Sequence, residues 1–217
     1  MENRKSLLPK VFMWLFVGVL VTFVSGFLIS ENPSMMEGLI TSNFYWVFLI
    51  VEIVIALALH SKLSRLNKHV AICLYLLYAF LTGLTVAIIF LAYQLDSIML
   101  IFLITSLLFA LFAFIGKYTK IDLSKFWVYL AIGLLAIIIL EIVNIFLLNE
   151  SLNIVTSILG IIIFLGFIAY DVQAILKSDI LDEAQKDSYV IIFAFNLYID
   201  FINVFMDLLS LFGDSKD

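Results

Sequence analysis

The 217-residue chain contains one cysteine, two prolines and little charge of either sign: 13% Asp, Glu, Lys and Arg, about half the usual fraction of roughly 25%. With Cys73 alone, there is neither a disulfide framework nor a cysteine-based metal cluster. Pro9 and Pro33 fall outside the long apolar runs, so proline gives no reason to expect broken helices. Twelve Lys and Arg against 17 Asp and Glu exclude the basic face a nucleic-acid binder needs. There is no nucleophile elbow, HExxH, P-loop or dinucleotide fingerprint. The expectation is a protein that is not an enzyme and holds no resident cofactor.

What the chain has is apolar surface: 65% of its residues are hydrophobic. A soluble domain of this length would have too few polar side chains to cover itself. The lipid bilayer is therefore its first partner, and the expected class is an all-α integral membrane protein. Runs of about 20 apolar residues cross a ~30 Å hydrocarbon core. Seven are read, at about 11–30, 43–59, 70–93, 97–116, 126–148, 152–176 and 188–212, forming one membrane domain over residues 1–217. The second is the shortest. The seventh is the weakest because Asn196, Asp200, Asn203 and Asp207 interrupt it.

Arg4, Lys5 and Lys10 precede span 1; Lys62, Arg65 and Lys68 separate spans 2 and 3. Lys117, Lys120 and Lys125 separate spans 4 and 5, and Lys177 and Lys186 separate spans 6 and 7. Only Lys216 falls on the other side. The positive-inside rule then predicts a cytoplasmic N-terminus and an outside C-terminus, which seven spans allow. Trp14, Tyr45, Trp46, Tyr118, Trp127 and Tyr189 lie near span ends, where interfacial aromatics anchor a bundle.

Every base sits in a loop, a terminus or a span end, but Glu52, Glu141, Asp171, Asp200 and Asp207 fall within spans. A charge at the bilayer centre costs at least about 2.5–3.5 kcal/mol on insertion scales, so such acids face the bundle interior or a hydrated cavity. Asn196, Asp200, Asn203 and Asp207 are spaced four, three and four apart, which puts them on one stripe of span 7. A membrane helix with a polar stripe is expected centrally. Carboxylates and amides are hard oxygen donors, suited to Ca²⁺ or Mg²⁺; the same stripe also suits interhelical hydrogen bonds that only hold the bundle together.

Span 6 adds Asp171. Level placement of Asp171 and Asp200 in an antiparallel hairpin needs a turn centred between residues 185 and 186. The polar connection is centred near 182, an offset of about seven residues or ~10 Å. Spacing permits the pair without establishing it. Glu141 and Asn144 share a face of span 5 and are candidates for the polar interior. Gly83 reads as a close-packing position. His60 and His69 show no metal-ligand spacing.

Three blocks carry a resemblance: Leu81-Thr82-Gly83-Leu84-Thr85, Ala169-Tyr170-Asp171-Val172-Gln173, and Leu197-Tyr198-Ile199-Asp200-Phe201-Ile202-Asn203-Val204-Phe205 with Leu211-Phe212-Gly213. They resemble the transmembrane Bax inhibitor motif family, and the short loops resemble its prokaryotic branch. The resemblance implies a seven-transmembrane helix bundle with helix 7 central, passing Ca²⁺ down its gradient in a pH-sensitive way. It further implies that Asp171 and Asp200 form a pH-sensing pair on the ion path and serve as Ca²⁺ ligands. Asn196, Asn203 and Asp207 would support them. The family pattern also has a span 2 glutamate with a basic partner. Glu52 matches the glutamate, but the arginine position reads Leu63, leaving Lys62 and Arg65 beside it as latch candidates. The implied location is a bacterial inner membrane. No feature names a protein partner. Competing readings are a proton-coupled carrier of another cation or small solute, and a non-transporting regulatory membrane protein.

The five intramembrane acids account for the whole formal charge of −5. Outside the spans, twelve acids face twelve bases.

Overall fold

The computed structural model describes residues 7–41, 44–61, 67–178 and 183–216. Its order is α1 Leu8–Ser30, α2 Pro33–Thr41, α3 Phe44–Ser61, α4 Lys68–Ala92, α5 Leu95–Tyr118, a 3₁₀ turn Leu123–Phe126, α6 Trp127–Leu147, α7 Glu150–Lys177 and α8 Glu183–Phe212. Among the described residues there is no strand, only an isolated bridge between Tyr93 and Ser215. Among the described residues, six helices are long and apolar enough to cross a membrane: α1, α4, α5, α6 with the turn before it, α7, and Ser188–Phe212 of α8. The shorter apolar stretch Ile50–Leu59 lies within α3. At 18 residues, α3 is about 27 Å long, close to the hydrocarbon thickness and the shortest match to an expected span.

The expected loop 31–42 contains a helix instead. Asn32 caps α2 by accepting from Met35 N–H at 3.2 Å, and Pro33 occupies the first helical position, where its missing N–H is harmless. Asn67 and Asn149 cap α4 and α7 in the same way, accepting from His69 N–H (3.2 Å) and Leu152 N–H (3.0 Å). Such caps satisfy backbone donors at the ends, while the apolar interiors satisfy their own.

The chain forms two compact units that divide within α8, between Tyr198 and Ile199. In the first, built on α1 to α4 and the first half of α8, the main pairing is α1 with α4. Small residues set that spacing. A Cβ on Gly26 would lie 2.9 Å from the Gly83 carbonyl oxygen, and one on Gly83 would overlap Ser25 Oγ. Gly83 is therefore the close-packing position its sequence context suggested. Tyr75, Ala79 and Ala87 are fully buried around this crossing.

The second unit holds α5, the 3₁₀ turn, α6, α7 and the rest of α8. Phe102 and Phe109 of α5 make edge-to-face contacts with Phe201, 5.5 and 5.9 Å between centroids, a favoured aromatic geometry. Helix α6 buries only Ile137 and leaves Ile132, Leu135, Ile139, Ile142 and Ile145 exposed. An apolar surface of that extent is compatible with lipid tails and not with water. Helix α8 is the most buried of the six and has the lowest mean hydropathy. That combination marks a polar stripe turned away from lipid.

Candidate functional site

Within the second unit, α7 and α8 each bring one acid inward: Asp171 is 7% exposed and Asp200 6%. Their charges interact directly, and Asp200 Oδ2 is buried without a hydrogen-bond partner. The two acids lie within electrostatic reach of each other, an arrangement that spacing permitted without establishing. Helix α8 starts at Glu183, five residues before its apolar span begins at Ser188. Residues in that polar lead belong to the helix but not to the membrane-crossing length.

The rest of the stripe divides by role. Asn196 Oδ1, in the first unit, is buried without a hydrogen-bond partner. Asn203 turns its amide back on its own helix, donating to Ile199 O at 2.8 Å. Asp207 accepts from the Ser157 hydroxyl of α7 and interacts electrostatically with Glu141 of α6. Its carboxylate occupies the space a Cβ on Gly160 would take, so the glycine makes the seat. Beyond it, Asn153 Nδ2 donates to Ser210 Oγ at 3.0 Å. Glu141 itself is exposed. Asn144 serves the end of α6, where its Oδ1 accepts from Asn149 N–H at 2.9 Å next to Leu148 in the left-handed region, φ 48°. No interior polar contact of Asn144 is seen: a side chain one turn from a helix end reaches unsatisfied backbone first.

Among the described residues no three His, Cys, Asp or Glu side chains group as a metal cage. Ca²⁺ takes six to eight oxygens when held. Two carboxylates alone fall short of that number.

Sequence reasoning quoted Gln173 but gave it no task. It is 9% exposed and clamps the α5–α6 connection onto α7. Its Nε2 donates to Ile121 O (2.9 Å), and its Oε1 accepts from Leu123 N–H (2.9 Å) and from Lys177 Nζ (2.9 Å). Lys177 also pairs with Asp122 at 2.5 Å. That hydrogen bond, with those from the Ser124 hydroxyl and N–H, holds the exposed Asp122 carboxyl down at about 2. Asp171 precedes Gln173 by two residues, so the clamp fixes the backbone that carries it. Gly116 of α5 allows a close approach beside the same stretch, since a Cβ there would overlap the Ala169 carbonyl.

Glu52 is 9% exposed in α3, in the first unit. Its latch candidates Lys62 and Arg65, and Leu63, lie outside the described residues.

The sequence of residues 4–217 matches the family described as inhibitor of apoptosis-promoting Bax1. The chain belongs to the Bax1-inhibitor family. Among curated members and relatives it is 35% identical to a protein of Borreliella burgdorferi, over 99% of this chain and 94% of that one. It is 32% identical to the inner membrane protein YbhL of Escherichia coli, over 98% and 93%. A membrane protein of Streptococcus pyogenes is 31% identical over 78% and 74%. This Bax1-inhibitor family chain is thus a multi-pass membrane protein, and its relatives include one named for the inner membrane. The three sequence blocks that carried the resemblance supply Thr82 and Gly83, Asp171 and Gln173, and Tyr198 and Asp200, all of them buried.

Proposed function

We propose that this protein passes Ca²⁺ down its gradient across a bacterial inner membrane, with Asp171 and Asp200 as the pH-sensitive point of passage. The proposal takes α3 as the second of seven spans, α8 as the central helix, the N-terminus as cytoplasmic and the C-terminus as outside. One observation carries it: two acids from different helices are buried within electrostatic reach of each other, and one Asp200 oxygen has no hydrogen-bond partner. An intramembrane carboxylate without a structural bond supports an ion path over interhelical glue.

Two such carboxyls cannot both ionise cheaply, so they titrate as a unit. With a proton on the pair, repulsion is relieved and the site has little attraction for a dication. As pH rises and the proton leaves, two anions remain. They either separate or are bridged by a cation, and Ca²⁺ is the hard cation that oxygen donors favour. The sign follows: higher pH favours the ion-conducting state, lower pH the closed one. If strong acid protonates both carboxyls, the attraction for a cation disappears altogether. Asn203 and Asp207 continue the oxygen-bearing stripe along α8.

Flux in proteoliposomes under opposed pH and Ca²⁺ gradients tests the class of transport. A leak moves Ca²⁺ only downhill whatever the proton gradient. Uphill Ca²⁺ movement driven by protons would replace this reading with a proton-coupled carrier.

A further inference from the structure

The first unit contains a second buried carboxyl, and the hydroxyl groups around it are committed elsewhere. Glu52 Oε1 is buried with no hydrogen-bond partner. Glu52 interacts with the phenols of Tyr78 on α4 and Tyr198 on α8. No basic side chain among the described residues acts on it. The other element against α3 is α2, whose one acid, Glu37, is on the exposed surface.

A hydroxyl has one proton to give, so the donors can be assigned. Thr22 Oγ1 donates to Ala79 O at 2.8 Å. The 2.6 Å contact between Thr22 Oγ1 and Tyr198 Oη must then use the Tyr198 proton. Thr82 Oγ1 interacts with both Tyr78 and Tyr198, and its own proton goes to Tyr78 O at 3.1 Å. Tyr75, stacked edge-to-face on Tyr198 at 5.7 Å between centroids, spends its proton on Trp14 O at 2.9 Å. Tyr198, Thr82 and Tyr75 therefore offer only lone pairs. With the Thr82 proton spent, the bond between the Tyr78 and Thr82 hydroxyls uses the Tyr78 proton. An ionised carboxylate has about four lone-pair sites to satisfy, and in this wall it would face acceptors.

A carboxylic acid fits where a carboxylate does not, because it brings a donor to an acceptor surface. We propose that Glu52 is a proton-binding site of its own, separate from Asp171 and Asp200, whose bound proton is directed at the oxygen wall of Tyr198, Thr82 and Tyr78. The site's ligand is the proton, and intramembrane acids lined by hydroxyls are the parts from which proton relays are built.

Infrared difference spectroscopy on the full chain tests this, in phosphatidylcholine–phosphatidylglycerol vesicles titrated through acid and alkaline pH. The C=O stretch of a protonated carboxyl is the readout, with a downshift in D₂O as its signature. The expected result at neutral pH is a band that persists in the Asp171→Asn/Asp200→Asn double variant and is absent in Glu52→Gln. In Glu52→Asp the band should move rather than vanish, which keeps the test decisive if Glu52→Gln folds poorly. Tyr198→Phe keeps the ring and removes the acceptor, so the band should shift to higher frequency and its titration midpoint should move by a pH unit or more. A band that survives unchanged in Glu52→Gln, or a Glu52 already ionised at neutral pH, overturns the proposal. The double variant reports on the calcium reading separately, so failure of one leaves the other standing.

Discussion

Removing the Gln173 clamp is a direct test of what holds Asp171 in place. In Gln173→Leu the volume is roughly kept, but Ile121 O and Leu123 N–H lose their partner and Lys177 loses one acceptor. Two neutral hydrogen bonds contribute about 1 kcal/mol net each, and the bond to a half-exposed ammonium adds somewhat less than the charged value because water competes. The sum is about 2–3 kcal/mol. At about 2–4 °C per kcal/mol for a chain of this size, the melting temperature in mild detergent should fall by about 4–12 °C. The companion variant Lys177→Met removes the shorter contact in the network, the 2.5 Å pair with Asp122, whose side chains are 54% and 47% exposed. That pair is exposed and screened by water, and the bond from Lys177 to Gln173 Oε1 is lost with it, so this variant should still lose less than Gln173→Leu, which breaks both buried bonds to the backbone. Gln173→Glu should fall between them, since it keeps the acceptor for Leu123 N–H and loses the donor to Ile121 O. Thermal unfolding followed by tryptophan fluorescence gives the ranking. A Gln173→Leu variant as stable as the wild type, or a Lys177→Met variant that is worse, would refute the assignment of the clamp to the buried amide.

Gly116→Ala forces a Cβ into the Ala169 carbonyl, a backbone atom that cannot step aside. It should cost about 1–3 kcal/mol, read as a lower melting temperature. Gly133→Ala meets only the mobile Cδ1 of Ile163 at 2.7 Å and should be nearly silent. The Asp122 carboxyl, held at about 2 by Lys177 and Ser124, has a folded value below its unfolded one of about 3.9. Its contribution is therefore complete above about pH 4 and is lost as pH falls toward 2. The small stability gap between wild type and Asp122→Asn should be flat from neutral pH to about pH 4.5 and close below it. Gly160→Ala should displace the Asp207 carboxylate from its seat beside Ser157, and pairing it with Asp207→Asn in a double-mutant cycle should show coupling.

The parts legible in the sequence are those the bilayer makes conspicuous. In hydrocarbon, an acid or amide has few acceptable environments, so the stripe on α8 and the acid of α7 could be read as inward-facing from spacing alone. Register was not legible, because a helix that starts before its apolar span hides where membrane depth begins, as α8 does at Glu183. Gln173 was missed because an amide three residues from an expected span end reads as interfacial. Its buried partners are backbone groups of another connection, and no side-chain pattern announces them. Asn144 went the other way: its spacing from Glu141 suggested the interior, and the unsatisfied Asn149 N–H was the nearer partner. Helix α2 did carry a signal in Asn32-Pro33, a cap followed by a proline at the first helical position, inside what read as a loop.

The most direct test of the central claim is Ca²⁺ uptake into proteoliposomes across a pH series, comparing the wild type with Asp171→Asn and Asp200→Asn. The account predicts uptake that rises with pH in the wild type and loses that dependence in both variants, because a single carboxyl no longer shares a proton. Variants that fold, conduct and keep the wild-type pH profile would contradict it.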